Sequence, residues 1–235
     1  MVPDAAALIT AAAAEFCRCA EAAIAARGRF AVALAGGNTP RGVYAQLAAE
    51  KNSPPWDKIH IFFGDERHVP PDDPQSNYRM ARESLLSKAP IPEANVHRIR
   101  AELPAPEAAA QYEADLRSFF GLSAGIWPRF DLILLGLGEC GHTASLFPST
   151  AGLQEESRLV IANWVEKFAS YRITFTFPVL NHASEIVFMV SGNGKAQILK
   201  EIFTAPKGSY PAQTVQPEKG KLLWIADKDA AGLVT

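Results

Sequence analysis

Residues 131–148 read DLILLGLGECGHTASLFP, and the chain is best understood outward from them. Asp131 to Leu137 is a continuous apolar run, too short for a useful helix and bounded by glycines, so it is expected to be a strand buried on both faces. Gly136, Gly138 and Gly141 let the backbone turn sharply just past the strand's carboxyl end. The turn presents Cys140, His142, Thr143 and Ser145 where open α/β sheets bind small molecules. Pro148 leaves room for at most one helical turn from Thr143. A histidine in such a loop is a candidate general base.

The rest of the chain repeats this strand-then-loop pattern. Asp4 is suited to cap a helix from about Ala5 to Arg27, closed by Gly28. Arg29 to Ala35 reads as a strand that runs into Gly36, Gly37, Asn38, Thr39 and Pro40. There Thr39 is the expected cap and Pro40 the first residue of a helix through Glu50. Free N–H groups beside a double glycine can cradle a phosphate or an oxyanion; an ordinary strand-to-helix turn has the same residues. Lys58 to Gly64 forms the next strand and ends in Asp65, Glu66, Arg67 and His68, read as a charged loop with Arg67 suited to an anion and Asp65 to a structural or acid/base role. A helix over Asn77 to Ser87, a short strand over Val96 to Ile99 and a crossover helix over Pro106 to Phe120 follow. Further strands are expected at Arg158–Trp164, Tyr171–Phe177, Glu185–Ser191 and Lys221–Ala226. Gly192, Asn193, Gly194 and Lys195 open a helix to about Phe203, and Asp227 is placed to cap a terminal one. The alternation implies one α/β domain over residues 1–235, Rossmann-like, with a mainly parallel sheet covered by helices on both faces. Four loops, at Gly36, Asp65, Gly138 and Gly192, would then share one sheet edge.

Composition narrows the partners. With 235 residues and 48% apolar content the chain can bury a large core. A net charge of -2 and a pI near 6.2 argue against nucleic acid or an anionic membrane as the main partner, so an anionic ligand must be met by local basic residues. Three cysteines, with Cys17 and Cys19 diverging on one helix, fit reduced thiols and a cytoplasmic setting. Asp4, Glu15, Arg18 and Glu21 make the alanine-rich start unlike a signal peptide, and no stretch is long enough to span a membrane.

Several motifs fail on inspection. Gly136, Gly138 and Gly141 satisfy G-x-G-x-x-G, but Pro148 cuts off the helix that should follow and no acidic residue closes the next strand. Gly194-Lys195 lacks the Ser or Thr of a P-loop, no G-x-S-x-G elbow exists, and the five histidines have no metal-ligand spacing. Thr143, Ser145 and Cys140 have no base visible in the sequence, so water activated by His142 is the preferred chemistry.

LAGGNTP, FFGDERHVP with SNYRMARESLL, GLGECGHTASLFP, RITFTFPVLN and SGNGKAQIL, in this order, resemble the 6-phosphogluconolactonase family of the pentose phosphate pathway over nearly the whole chain. The resemblance implies the fold shared with glucosamine-6-phosphate deaminases and ribose-5-phosphate isomerases. It implies hydrolysis of 6-phospho-D-glucono-1,5-lactone, with neither cofactor nor metal, by a monomer or weak dimer. His142 matches the family's water-activating histidine. Gly36, Gly37 and Thr39 match its glycine loop, where Asn38 still offers hydrogen bonds to substrate, and Asp65 and Gly141 fall within its motifs. Arg67, Arg172 and Lys195 match basic residues near the phosphate or the lactone oxygens, whose charge would help keep His142 neutral. Two positions depart from the family: Cys140 stands where Asp is usual, and Asn38 where Ser is common. A carboxylate near the histidine could orient it, a role then expected either to be weakened here or to be taken by Asp65, Glu66 or Glu139. Deaminases of the same fold resemble GHIAFNEP here, with Glu at the position of Phe147 and Asp at that of Cys140. Proton shuttling between sugar carbons needs those carboxylates. A non-catalytic sugar-phosphate sensor is the other alternative.

Overall fold

Side-chain caps set the ends of the first helix. Asp4 accepts the Ala7 N–H at 2.8 Å, and Gly28 closes the helix in the left-handed region at φ 75°. The computed structural model describes residues 1–50 and 54–234. In chain order it contains α1 (Ala5–Arg27), β1 (Phe30–Leu34), α2 (Asn38–Ala49), β2 (Ile59–Phe63), β3 (Asp65–Arg67), α3 (Asn77–Ala81), α4 (Ala105–Phe120), β4 (Leu132–Gly136), β5 (Val160–Val165), β6 (Ser170–Phe175), α5 (Phe177–Asn181), β7 (Glu185–Val190), α6 (Ala196–Thr204), β8 (Lys221–Ala226) and α7 (Lys228–Ala231). None of the described helices is long and apolar enough to cross a membrane.

Five strands form a parallel sheet in the order β2-β1-β4-β7-β8. Its central strands are apolar, Glu185 at the start of β7 excepted, because both faces are covered: every residue of β1 and β7 is buried. The order reverses between β1 and β4, so the crevice outside their carboxyl ends is the expected ligand site. Asp131 anchors the start of β4, pairing with Arg27 and accepting the Ala31 N–H at 2.9 Å. Tyr112 of α4 anchors the end of β2, its hydroxyl donating to the Phe63 carbonyl and accepting the Phe63 N–H.

A second sheet departs from the sequence reading. β3, β6 and β5 pair antiparallel, and Asp65, Glu66 and Arg67 are its edge strand rather than a loop. Gly64 is the junction: its N–H bonds Leu34 and its carbonyl takes the Phe175 N–H, so one residue joins both sheets. Other corrections are local. The helix from Asn77 holds only to Ala81 and continues as a π-turn over Arg82–Leu86, where Ser84 and Ser87 hydroxyls bond backbone carbonyls. Val96 makes a single bridge to Ile61 instead of a strand. Gly37, not Thr39, caps α2, because its φ of 107° lets Asn38 already be helical. The segment after Thr143 makes no helical turn, since Thr143 and Ser145 spend their hydroxyls on distant partners.

His60 and His97 form a half-buried pair, Nδ1 to Nε2 at 3.2 Å, with the His97 ring stacked on Phe62. Burial, and His60 beside it, hold His97 down at about 4 from 6.5. Between those two pH values the unfolded chain binds a proton that the folded one refuses, so stability falls as pH drops through that window. Melting temperature should therefore decline from pH 6.5 to 4, and His97→Gln should flatten that decline, as read by thermal scans across the range.

Candidate active site

Past β4 the chain folds back tightly. The Gly138 N–H donates to the His142 carbonyl at 2.9 Å, and the Gly141 N–H to the Gly138 carbonyl at 3.0 Å. The imidazole of His142 packs so close to Gly138 that a Cβ there would stand 1.8 Å from its Cε1. It also stacks on Phe147, ring centroids 3.9 Å apart. Nδ1 lies 3.1 Å from Cys140 Sγ, and Nε2 has no protein partner among the described residues. Burial first, then Lys195, Lys167 and Arg67, push the imidazole down to about 4, so it is neutral near pH 7. Thr143 donates to the Gly136 carbonyl at 2.9 Å and Ser145 to Asp65 at 2.6 Å. Neither hydroxyl meets the histidine, so neither is a nucleophile activated by it.

Strand β3 supplies the second wall. Glu66 accepts the N–H groups of Arg67, Asn77 and Tyr78 and the Ser76 hydroxyl, all within 3.0 Å. Its oxygens are saturated, so it fixes the start of α3 and has no capacity left for catalysis. Asp65 takes Ser145 and Asn77, tying the histidine loop to α3. Burial pushes the Asp65 carboxyl up, while Arg67 and Ser145 pull against it. Arg67 and Arg172 sit opposite each other across β3 and β6. Like charges paired in this way cost about 0.2–1 kcal/mol, which an anionic ligand would reverse.

A cleft of about 370 Å³ opens at the ends of β1 and β4, walled by Gly36, Gly37, Arg67, His142, Lys167 and Lys195. Gly36 makes a close approach possible there, since a Cβ would come within 2.0 Å of the Asn77 amide. Among the described residues, no carboxylate forms an ion pair with Arg67, Arg172, Lys167 or Lys195. Unpaired cations converging beside a neutral histidine fit a phosphorylated ligand with a bond to be hydrolysed.

The sequence model of the family described as glucosamine-6-phosphate isomerases/6-phosphogluconolactonase matches residues 3–224. The chain belongs to this family. A 6-phosphogluconolactonase of Synechocystis sp. is 48% identical over 211 residues, covering 88% of this chain and 86% of that protein. The human 6-phosphogluconolactonase is 42% identical over 215 residues, covering 89% of this chain and 83% of that protein. The crystal structure of 6-phosphogluconolactonase from Thermotoga maritima superposes with a TM-score of 0.80 at 33% identity, covering 93% of this chain and 94% of that one.

Within this family fold, six of the ten residues expected to catalyse or to bind substrate meet in the cleft: Gly36, Gly37, Asp65, Arg67, His142 and Lys195. Of those ten, Asn38, Thr39, Gly141 and Arg172 do not line it. Asn38 faces an adjoining depression with Arg41, and Thr39, inside the first turn of α2, borders neither. Gly141 holds its loop at φ 72° with Tyr210 behind it. Arg172 is buried beside the cleft, its guanidinium 5.0 Å over the Phe168 ring. Asp65 and Glu66, expected as possible partners for the imidazole, are turned to Ser145 and to backbone amides. Glu139 is exposed and makes no hydrogen bond to His142. Lys167 was not legible in sequence: it lies in the short turn between β5 and β6, and only the pairing of those strands brings it over the cleft.

Proposed function

We propose that this chain hydrolyses 6-phospho-D-glucono-1,5-lactone to 6-phospho-D-gluconate, the lactonase step of the oxidative pentose phosphate pathway. The chain is a lactone-hydrolysing enzyme, and its family membership and relatives support that reading. The observation that carries it is the neutral His142, its Nε2 free, set among unpaired cations.

His142 Nε2 takes a proton from water as the water attacks the lactone carbonyl, and later returns it as the ring oxygen leaves. Arg67 and Lys195 hold the phosphate, with Lys167 and Arg172 adding charge; a planar guanidinium grips phosphate through two bonds and an ammonium as a point charge. Free N–H groups at the start of α2, beside Gly36 and Gly37, stabilise the tetrahedral oxyanion. A lactone is an activated ester, so one base, an oxyanion site and an anchor suffice. Carbon-to-carbon proton shuttling is disfavoured: Phe147 stacks on His142 where a deaminase resembling GHIAFNEP would carry a carboxylate.

The test is hydrolysis of freshly generated lactone at mildly acidic pH, where the uncatalysed background is slow. Because burial and the neighbouring cations hold His142 down at about 4, the base stays neutral there and turnover far above buffer is expected. A rate equal to buffer, with product still bound, would replace the enzyme with a sugar-phosphate sensor.

A further inference from the structure

The loop after β4 places the sulfur of Cys140 against the His142 imidazole. A base acting through Nε2 must carry its own proton on Nδ1, and something has to hold that tautomer. In His142 the sulfur of Cys140, 3.1 Å from Nδ1, is the one hydrogen-bonding partner of the ring among the described residues. The acidic groups nearby are otherwise engaged or turned away. Asp65 serves Ser145 and Asn77, Glu66 serves three backbone amides, and Glu139 is exposed. Ring rotation that would exchange the two nitrogens is obstructed by Gly138 and Phe147.

We propose that Cys140 is a positioning residue, its sulfur accepting the Nδ1–H of His142 and holding the neutral imidazole with Nε2 unprotonated. This rests on the reading of His142 as the base given above. A sulfur accepts more weakly than a carboxylate, and a neutral thiol brings no charge. It therefore orients the ring without favouring the imidazolium. The other charged groups facing His142 are Lys195 at the start of α6, Lys167 in the β5–β6 turn and Arg67 on β3, all of which favour the neutral ring. Orientation and charge stabilisation, which one aspartate would supply together, are separated here.

The experiment uses the full chain labelled with nitrogen-15 at histidine, His142 being assigned by its absence from His142→Asn. Nitrogen shifts are followed with pH in the native protein and in Cys140→Ala, Cys140→Ser and Cys140→Asp, alongside steady-state kinetics. The native protein should show a single Nδ1–H tautomer. Cys140→Ala should show mixed tautomers, with kcat lower by roughly tenfold and KM within about twofold. Cys140→Ser, which keeps an acceptor, should restore the tautomer and most of kcat. Cys140→Asp should keep the tautomer and raise the titration of His142 by about one unit or more. An Nε2–H tautomer in the native protein, or a Cys140→Ala protein unchanged in both tautomer and kcat, would overturn the proposal. So would a covalent adduct on Cys140 during turnover, seen by intact mass, since the thiol would then be a nucleophile. Failure of native turnover with the tautomer responses intact would refute the lactonase reading and leave the positioning role standing.

Discussion

His142→Asn should lower kcat by about 10²–10⁴-fold, the usual contribution of a positioned general base, while product affinity stays within about threefold. The two effects separate because the groups are separate. Nε2 has no hydrogen-bond partner among the described residues, so its removal takes away proton transfer and little else. The cations of the cleft come from other elements: Arg67 from β3, Lys167 from the β5–β6 turn and Lys195 from the start of α6. Asparagine is smaller than the imidazole and leaves the Phe147 ring partly uncovered, at a cost in stability of about 1–2 kcal/mol. Steady-state kinetics and calorimetric titration with 6-phosphogluconate, at a temperature well below melting, distinguish these. A kcat within threefold of native would mean that another group activates the water.

The parallel core was legible because it is written in local pattern: apolar runs bounded by glycine, with β1, β7 and β8 followed by helices. The antiparallel sheet was not. Asp65, Glu66 and Arg67 look like a solvated turn, since no strand preference resides in three charged residues. They are held extended by β6, more than a hundred residues away in sequence. The same reason hid Lys167. Its turn carries no motif, and only the register of β5 on β6 aims it at the histidine. Thr39 failed as a cap for a different cause: Thr followed by Pro is a sound local signal, but Gly37 starts the helix two residues earlier through its positive φ. Asp65, an acid/base candidate in sequence, proved to be a strut, because the hydroxyl of Ser145 lies 2.6 Å away across the loop. The chemical residues of this chain could be found by type, whereas their partners depended on the second sheet.

Gly138→Ala should reduce kcat by about a hundredfold, and Gly136→Ala should barely change it. Both glycines belong to one short motif and neither has a positive φ, so backbone strain does not separate them. Space does. A Cβ at Gly136 meets nothing within 4 Å, whereas one at Gly138 would fall 1.8 Å from Cε1, 2.0 Å from Nδ1 and 2.5 Å from Nε2 of His142. The imidazole would have to move by more than an ångström, and Phe147, stacked at 3.9 Å, stands in part of its way. A displacement of about that size can cost 10²-fold in rate when it misaligns a reacting group. Overpacking of this kind also destabilises by about 1–3 kcal/mol, so melting curves should accompany the kinetics. The distance from Nδ1 to Cys140 would change with the ring, which makes the nitrogen-15 tautomer of His142 an independent reading of the same shift. If Gly138→Ala turned over like the native enzyme, the imidazole could relax freely, and its close packing against the glycine would have no part in holding the base.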